Sequence, residues 1–236
     1  MTNDVRSEAE RIVAEYDRRA RELPSDFYAL HRPANLFIHQ GHEEALLWGL
    51  RQLGAAPVGN RRVLDVGCWQ GDWLGVFERF GAAREKLAGL ELVPSCATRA
   101  AGDFPEADVR CGDAAQMPWP NGHFDLVFQR MMVSSILDRS AAQSAVGEML
   151  RVLRPGGAIL WLEFAYNNPR NSQVRGIPPR ALRTLFPNCR IRWRRVTLAP
   201  PLARRIVPIS ANLARLLEGL RVFNTHYLAV IQPLVR

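Results

Sequence analysis

The chain has 236 residues, of which 47% are hydrophobic and 23% charged, so it can form one large domain with small additions and is too apolar for intrinsic disorder. Its four cysteines are scattered and form no C-x-x-C pair, which argues against a disulfide framework or a zinc site and predicts a reducing, cytoplasmic location. The first residues are polar, unlike a signal peptide, and no apolar run is long enough to span a bilayer.

The net charge of +8 is concentrated in the last third of the chain. Residues 1–150 contain 16 basic and 21 acidic residues, whereas residues 151–236 contain 15 arginines and only two acidic residues, Glu163 and Glu218. This asymmetry is compatible with an anionic partner, such as nucleic acid, a membrane surface or a phosphorylated substrate. It is also compatible with arginines that pair with the acidic first half, within the fold or across a dimer, and we expect this internal pairing.

The N-terminal segment is predicted to be helical. Residues 4–22 have apolar side chains on one face and end before Pro24, and residues 35–54 form a second predicted helix that Gly54 and Pro57 close. An aromatic-rich loop joins the two.

From Arg62 onward, short apolar runs alternate with helical segments. The predicted strands cover residues 63–66, 87–92, 108–110, 124–128, 158–163, 190–198 and 225–231. The predicted helices cover residues 71–80, a segment opened by Pro94, residues 139–154 and residues 179–186. Such alternation predicts an α/β fold with a parallel, doubly wound sheet. A further segment, residues 200–223, is inserted between the last two strands and has leucines at helical spacing.

Three polar elements are predicted to meet where strands end, which is the ligand-binding edge of an open α/β sheet. The first is the glycine loop from Asp65 to Gly71, whose glycines allow a tight turn and a close approach of the backbone to a ligand. The second is Glu91, a carboxylate suited to both hydroxyls of a ribose. The third is Gly112-Asp113, whose carboxylate suits the exocyclic amine of adenine.

The glycine loop does not fit a dinucleotide. The fingerprint G-x-G-x-x-G would need glycines at positions 67, 69 and 72, where the chain has Gly67, Trp69 and Asp72. Asp72 would also place negative charge where a pyrophosphate must bind. A sulfonium ligand with an amino-acid end carries no phosphate, and Asp65 and Asp72 would attract its positive charges.

Residues 61–165 resemble the core of class I S-adenosylmethionine-dependent methyltransferases of the bacterial small-molecule and natural-product type. The resemblance lies in the loop 63–71, Leu90-Glu91, Gly112-Asp113-Ala114, the run 124–127, and Leu-Arg-Pro-Gly-Gly at 153–157. One residue departs from the family pattern, because Trp69 stands where the family has a middle glycine.

The resemblance implies a Rossmann-like, doubly wound, seven-stranded sheet whose last strand is antiparallel. An N-terminal helical cap and substrate segment (1–58) would precede the core (59–236), which carries the helical insert at about 200–223. The cofactor would be S-adenosylmethionine, held by residues of the loop, of the strand ends and of the cap. The predicted cofactor-binding residues are Tyr16, Asn35, Asp65, Gly67, Cys68, Gly71, Asp72, Trp73, Glu91, Leu92, Gly112, Asp113, Ala114 and Gln129.

The resemblance does not identify the acceptor, which added elements select in such folds. We expect a small-molecule acceptor, such as a natural-product scaffold of secondary metabolism, with C-methylation of an aromatic or indole ring as one option. Methyl transfer needs the acceptor in line with the sulfonium carbon, and a base only if the acceptor must lose a proton. The predicted orienting or catalytic residues are Tyr28, His31, Glu163 and Tyr166.

Three alternatives remain open on the sequence alone: RNA methylation, tailoring of a lipid or glycan at a membrane surface, and cofactor binding without catalysis. RNA methylation finds support in the basic last third, but the aromatic residues are not interleaved with the basic ones, so nucleic acid is not the expected partner. The amphipathic insert is compatible with a lid, a homodimer face or a membrane-surface contact, and we expect a lid or a dimer.

Overall fold

The structure, a computed structural model, describes residues 7–169 and 171–234. The α-helices in these ranges are α1 (Glu8–Glu22), α2 (Pro33–Gln52), α3 (Asp72–Arg79), α4 (Pro94–Asp103), α5 (Arg139–Val152), α6 (Leu182–Leu185), α7 (Pro200–Ile206) and α8 (Ala211–Gly219). The strands are β1 (Val63–Val66), β2 (Leu87–Glu91), β3 (Asp108–Cys111), β4 (Phe124–Arg130), β5 (Leu153–Phe164), β6 (Cys189–Leu198) and β7 (Asn224–Pro233). Short 3-10 turns cover Arg84–Lys86, Val133–Ser135 and Pro179–Ala181.

The predicted sheet is confirmed. Its seven strands lie in the order β3-β2-β1-β4-β5-β7-β6, and β7 runs antiparallel to both of its neighbours. The order reverses between β1 and β4, so a crevice opens at the carboxyl ends of these two strands. Residues of β1 and β2 are buried on both faces, which explains their short, continuous apolar runs.

Helices cover the two faces of the sheet and form two main apolar cores. On one face α2 and α3 pack against strand residues such as Leu160 and Val230. On the other face α5 and α6 pack against Ile159, Trp161 and Tyr227. Because neighbouring residues of a strand point to opposite faces, the polar residues at the strand ends are also divided between the two faces.

Helix α1 begins later than predicted. Ser7 caps it, since the Ser7 hydroxyl accepts from the backbone N–H of Glu10 while the Glu10 carboxylate accepts from the backbone N–H of Ser7. The prediction placed the helix start at residue 4, and residues 4–6 lie outside the described residues. The start of α2 at Pro33 uses the preference of proline for the first helical turn.

The fourth and fifth strands are longer than predicted, and the helix between them is shorter. Helix α5 ends at Val152, and β5 starts at Leu153, which pairs with Phe124 of β4. The prediction that the helix continues to residue 154 is wrong because the backbone there pairs with β4. Gly157 packs so closely that a Cβ would lie 2.8 Å from the carbonyl oxygen of Asp125. The Pro-Gly-Gly segment therefore starts a strand rather than capping a helix.

The predicted helix at residues 179–186 is divided into a 3-10 turn and the single helical turn α6. The insert forms α7 and α8, which enclose a third, small core. This core contains Phe37 of α2, Leu198 of β6, Ala203 of α7 and Ala214 of α8. Phe37 thus supports the insert.

The prediction that the C-terminal arginines pair with carboxylates inside the fold is wrong for most of them. Among the described residues of the last third, salt bridges are formed by Arg151, Arg154 and Arg215 alone. The other described arginines after residue 154 have no described carboxylate within salt-bridge distance, so most of their positive charge is not neutralised by the part of the chain that the structure describes.

Candidate active site

The glycine loop connects β1 to α3 and is held against β2. The backbone N–H groups of Gly67 and Cys68 both donate to the carbonyl of Leu90, at 2.7 and 3.1 Å. Gly67 and Gly71 have φ values of 78° and 90°, in the left-handed region that favours glycine. A Cβ on Gly67 would lie 2.8 Å from the side chain of Met132, so that position has neither the conformation nor the space for a side chain.

Trp69 also has left-handed backbone geometry, with a φ of 52°. This conformation gives a physical reason for the glycine that the family has at this position. In this chain the strained residue is held from two sides. Its backbone N–H donates to the carboxylate of Glu91 at 2.9 Å, and its ring lies 5.1 Å from the ring of Tyr16 on α1. The indole therefore lies under the N-terminal helix at the sheet edge.

Glu91 ends β2 and is oriented by backbone donors. One carboxylate oxygen accepts from Trp69 N, and the other accepts from Val93 N at 2.9 Å. Burial raises the pKa of this carboxyl group, while the backbone hydrogen bonds act in the opposite direction. Each oxygen keeps a further lone pair, so the group fits the two hydroxyls of a ribose.

Asp65 and Arg130 form a second polar pair, on the face of the sheet covered by α2 and α3. Asp65 is buried, and one of its carboxylate oxygens has no hydrogen-bond partner among the described residues. Burial raises the pKa of Asp65 to about 8, and the charge of Arg130 opposes that shift. The guanidinium of Arg130 lies over the ring of Trp73 at 5.2 Å and donates to Nδ1 of His42 at 3.3 Å. An unpartnered carboxyl near a guanidinium fits the ammonium and carboxylate of an amino-acid end.

Gln129 and Glu163 form a third pair, on the opposite face. The side-chain oxygen of Gln129 accepts from the backbone N–H of Met132 at 3.1 Å, and the Glu163 carboxylate accepts from Ser134 N at 3.0 Å. The amide nitrogen of Gln129 and the second oxygen of Glu163 are buried and form no hydrogen bond of normal geometry in the described structure, but the two side chains are close enough for Gln129 to lower the pKa of Glu163. Burial raises the pKa of Glu163 to about 8, so this carboxyl group is mostly protonated at neutral pH.

These unpartnered atoms lie on three neighbouring strands. Asp65 is on β1, Gln129 on β4 and Glu163 on β5, and each is near the carboxyl end of its strand. Buried polar atoms in proteins nearly always have a partner, so unpartnered ones at three neighbouring strand ends are compatible with a ligand that spans both faces of this sheet edge. Together with the loop backbone and Glu91, these residues fit S-adenosylmethionine: a carboxylate for ribose, a carboxyl and a guanidinium for the amino-acid end, and no phosphate cradle.

Helix α1 covers this edge through polar contacts. Arg11 donates to the carbonyl of Ser135 at 2.5 Å, and the carboxylate of Glu8 accepts from the backbone N–H of Leu137 at 2.5 Å. Tyr16 is largely enclosed between α1 and the loop, and burial raises the pKa of its hydroxyl. Tyr16 therefore lies beside the glycine loop, and its role in cofactor binding stays a prediction.

The structure does not bring the four predicted catalytic residues together. Tyr28, His31 and Tyr166 are 64%, 70% and 49% exposed, whereas Glu163 is buried. His31 lies 3.5 Å from Asp26. The Tyr166 hydroxyl accepts from Arg195 at 2.5 Å. Glu163 is the one of the four that belongs to the row of unpartnered polar atoms.

Several predicted cofactor residues have other contacts. Asn35 donates to the carbonyls of Phe27 and Ala29 and so shapes the α1–α2 loop. Trp73 is in the core, 5.2 Å from the ring of Phe128, and supports the guanidinium that lies over it. Asp113 is exposed, and its carboxylate caps the backbone N–H of Ala115 at 2.8 Å.

The remaining predicted residues lie along the same edge. Cys68 is buried with its thiol pKa raised by burial, and Gly71 and Asp72 begin α3. Two hydrogen bonds join the ends of β2 and β3. The carbonyl of Leu92 accepts from the thiol of Cys111, and the backbone N–H of Gly112 donates to the carbonyl of Glu91. Ala114 packs against the core.

Sequence reasoning missed Arg130, His42 and His226. The rings of the two histidines lie 5.5 Å apart beside Arg130, and burial lowers the pKa of each. Arginine can only donate, so Nδ1 of His42 accepts and the neutral ring carries its proton on Nε2, which is buried without a partner. The position of Arg130 at the end of a buried strand was a usable signal. His42 lies within a helix and gave no signal.

Comparison with known proteins identifies the kind of domain that carries part of this site. Residues 63–157 match the model of the family described as "Methyltransferase domain". This segment runs from the first residue of β1 into the start of β5, and it includes Asp65, Glu91 and Gln129.

Curated relatives are similar to 42 to 49% of the chain. A probable S-adenosylmethionine-dependent methyltransferase of Mycolicibacterium smegmatis is 31% identical over 100 residues, which are 42% of this chain and 37% of the relative. The ubiquinone/menaquinone biosynthesis C-methyltransferase UbiE of Shewanella halifaxensis is 40% identical over 122 residues, which are 49% of this chain and 47% of the relative. The norajmaline N-methyltransferase of Rauvolfia serpentina is 30% identical over 115 residues, 46% of this chain and 37% of the relative. The chain thus spans about half or less of the curated relatives that it matches.

Solved structures share the fold. An S-adenosylmethionine-dependent methyltransferase from Archaeoglobus fulgidus superposes with a TM-score of 0.58 at 17% identity, covering 84% of this chain and 98% of that one. The [4+2]-cyclase SpnF superposes with a TM-score of 0.59 at 19% identity, covering 79% and 80%. Residues 63–157 therefore match a methyltransferase domain, and S-adenosylmethionine is the cofactor that the relatives of this domain class use.

Proposed function

We propose that the protein transfers the methyl group of S-adenosylmethionine to a small organic acceptor that binds between α1 and the end of β5. The observation that supports this most strongly is the row of unpartnered buried polar atoms on Asp65, Gln129 and Glu163. It lies at the sheet edge where the matched domain carries its glycine loop.

The cofactor supplies a methyl group on a sulfonium sulfur, and the acceptor displaces that sulfur in line. The residues of this chain have the task of holding both reactants close together, which alone accelerates such a reaction strongly. In this proposal Glu91 binds the ribose hydroxyls, Asp65 the ammonium group and Arg130 the carboxylate of the cofactor. The loop backbone at Gly67 allows the close approach that a side chain would block.

Glu163 is the residue we assign to the acceptor side. With a pKa of about 8 it is mostly a neutral acid at pH 7, which can donate a hydrogen bond to an acceptor oxygen or nitrogen. Above pH 8 it is mostly ionised. A carboxylate whose pKa lies near the working pH is well suited to remove a proton from the acceptor. Tyr28, His31 and Tyr166 would contribute only if the exposed segments that carry them close over the acceptor.

An aromatic acceptor is the finer proposal. The rings of Tyr16 and Trp69 lie beside the loop and offer an apolar surface on which a ring can stack. The names of the relatives include methyl transfer to carbon, nitrogen and oxygen, so they do not favour one acceptor atom.

The proposal is tested by a transfer assay with labelled S-adenosylmethionine. Wild-type protein, Glu163→Gln and the control variant Glu148→Gln, at a half-buried carboxylate on α5, are incubated with a panel of indoles, phenols, quinols and transfer RNA. We expect transfer to a ring compound, loss of most of it in Glu163→Gln, and no loss in Glu148→Gln. Binding of the cofactor without transfer to any acceptor would favour a non-methylating role. Transfer to RNA that falls steeply with salt would contradict the small-molecule acceptor.

A further inference from the structure

The insert leaves the sheet at the same edge as the candidate site. It follows Leu198 at the end of β6 and precedes Asn224 at the start of β7, and these two residues pair with each other. His226 of β7 pairs with Phe164, which ends β5 directly after Glu163. The insert therefore stands beside the active-site edge and not at the opposite end of the sheet.

The insert carries a large apolar surface that is open to solvent. Leu213, Leu216 and Leu220 are spaced three and four residues apart, so they lie along one side of α8 and its end. Neighbouring residues of the insert extend this surface. The six side chains are 44 to 85% exposed, and we call them the insert face: Ile209, Leu213, Leu216, Leu220, Val222 and Phe223.

The insert face takes no part in packing α8 against the rest of the fold, because other residues of α8 do that. Ala214 is buried and Leu217 packs with it in the small core against Leu198. Six large apolar side chains exposed within fifteen residues are more than a monomeric surface usually shows, and such surfaces mark sites of interaction. Helix α8 thus has apolar residues packed inside the fold and further apolar residues that are open to solvent.

Unneutralised arginines adjoin the insert face. Arg204, Arg205 and Arg221 are exposed, and none of them has a carboxylate within salt-bridge distance among the described residues. The acidic group of the insert, Glu218, is occupied by Arg215 and by the backbone N–H of Leu198. The surface therefore combines exposed leucines with free positive charge.

This combination favours one of the three occupants that the sequence allowed. A lid would have its apolar side chains over the site, whereas these point into solvent. A two-fold dimer would place the same patch on both sides, so that Arg205 and Arg221 would face like charges of the second copy. An anionic bilayer offers an apolar interface for the leucines and negatively charged headgroups for the arginines.

Contacts link the insert to the mouth of the site. The guanidinium of Arg204 lies 5.1 Å from the ring of Phe27, and that ring packs edge-on against Tyr28 at 4.8 Å. Tyr28 is exposed and lies close enough to the Tyr16 hydroxyl to affect its pKa electrostatically. The loop between α1 and α2 thus connects the insert to the helix that covers Trp69.

We propose that the insert face docks on the surface of an anionic lipid bilayer, with the leucines in the interface and the arginines on the headgroups. The docking places the mouth of the candidate site at the bilayer. Resting on the proposed function, it follows that the methyl acceptor is an amphiphile dissolved in the lipid. The docking surface itself does not depend on the protein's being a methyltransferase.

The test is sedimentation of the full chain with sucrose-loaded vesicles. One set contains phosphatidylcholine with 30% phosphatidylglycerol, the other phosphatidylcholine alone. We expect preferential binding to the anionic vesicles that weakens as salt is raised. The variant Leu216→Ser/Leu220→Ser should partition at least about tenfold less, because two exposed leucines no longer enter the interface.

A second variant tests the charges. Arg205→Gln/Arg221→Gln should bind anionic vesicles about 25-fold less tightly, at about fivefold for each arginine near an anionic surface. The matched controls remove the same residue types elsewhere. Leu234→Ser lies beyond β7 at the opposite edge of the sheet, and Arg183→Gln/Arg190→Gln changes two exposed arginines outside the insert. Both controls should bind like the wild type.

Three outcomes would overturn the docking. The first is no vesicle binding, and the second is binding that the controls reduce as much as the insert variants. The third is a protein that does not bind vesicles but forms a dimer, seen by analytical ultracentrifugation, that Leu216→Ser/Leu220→Ser dissociates. Cofactor binding is measured separately by calorimetry without vesicles. A protein that binds S-adenosylmethionine and ignores vesicles refutes the docking alone, and one that binds vesicles but no cofactor refutes the proposed function alone.

Discussion

The buried carboxyl of Glu163 gives a prediction about stability that needs no substrate. Its pKa lies at about 8 in the folded chain against an ordinary value of 4.5, because burial disfavours the charged form. Between these values the folded chain holds a proton that the unfolded chain has lost. Unfolding then releases a proton, so this group stabilises the fold fully below pH 4.5 and loses that contribution as pH rises towards 8.

The magnitude follows from the two pKa values. The slope is about −1.4 kcal/mol per pH unit in the middle of this range, and the integrated loss from about pH 5.5 to about pH 7.5 is about 2.5 kcal/mol. Glu163→Gln replaces the acid by a neutral group of the same shape that cannot titrate. The free energy of unfolding of the wild type minus that of the variant should therefore fall by about 2.5 kcal/mol across this interval.

The assay is urea unfolding, followed by tryptophan fluorescence, at several pH values. Contributions of the other titrating groups, including the buried histidines, cancel in the difference between the two proteins. Glu148→Gln is the control, because Arg151 lowers the pKa of Glu148 and leaves it ionised in both states throughout the interval. A difference between wild type and Glu163→Gln that is flat in pH would show that Glu163 is ionised in the fold and refute the reasoning.

Three further predictions concern the loop and its surroundings. Gly67→Ala should lower the free energy of unfolding in urea by about 1–2 kcal/mol from the left-handed backbone alone, and weaken cofactor binding by calorimetry; an unchanged protein would contradict the loop geometry. Tyr16→Ala should raise the KM for S-adenosylmethionine several-fold and shift the emission of Trp69, while Tyr16→Phe keeps the ring contact and should do neither. Arg130→Gln should raise the Kd of the cofactor about tenfold, and it should bind a cofactor analogue that lacks the carboxylate as well as the wild type does.

The fold was predictable from the sequence because each main strand is a short buried run with helices between. The errors lie where pairing overrides local preference. Residues 153–157 contain proline and two glycines, which locally favour a helix end, but their backbone pairs with β4 and extends β5. The same holds for the start of β7, where pairing with Leu198 draws Asn224 into the strand.

The cofactor side of the site was predictable to the extent that it lies on strand ends and glycines. Asp65, Gly67 and Glu91 follow from that rule. The acceptor side could not be predicted, since it depends on which side chains meet across elements that are distant in sequence. His31 was expected in the site because it lies in an aromatic loop, yet it is exposed beside Asp26, while His42 reaches the site edge from within a helix.

The arginine-rich last third shows a similar limit. Composition shows that the last third is basic but not which groups its arginines contact, because ion pairing depends on which carboxylates the fold brings near each arginine. The described structure leaves most of these arginines without carboxylate partners, including Arg205 and Arg221 beside the insert face.

The central claim is that S-adenosylmethionine binds at the carboxyl ends of β1, β2 and β4, with its ammonium on Asp65. It is tested most directly by isothermal titration of the cofactor at about pH 6.5 in two buffers of different ionisation enthalpy. Asp65 has a pKa of about 8 without the cofactor and must ionise to bind a cation. The account predicts binding with release of about one proton, and Asp65→Asn should bind more weakly without that release. Binding that is equally tight in both proteins, or no binding at all, would contradict it.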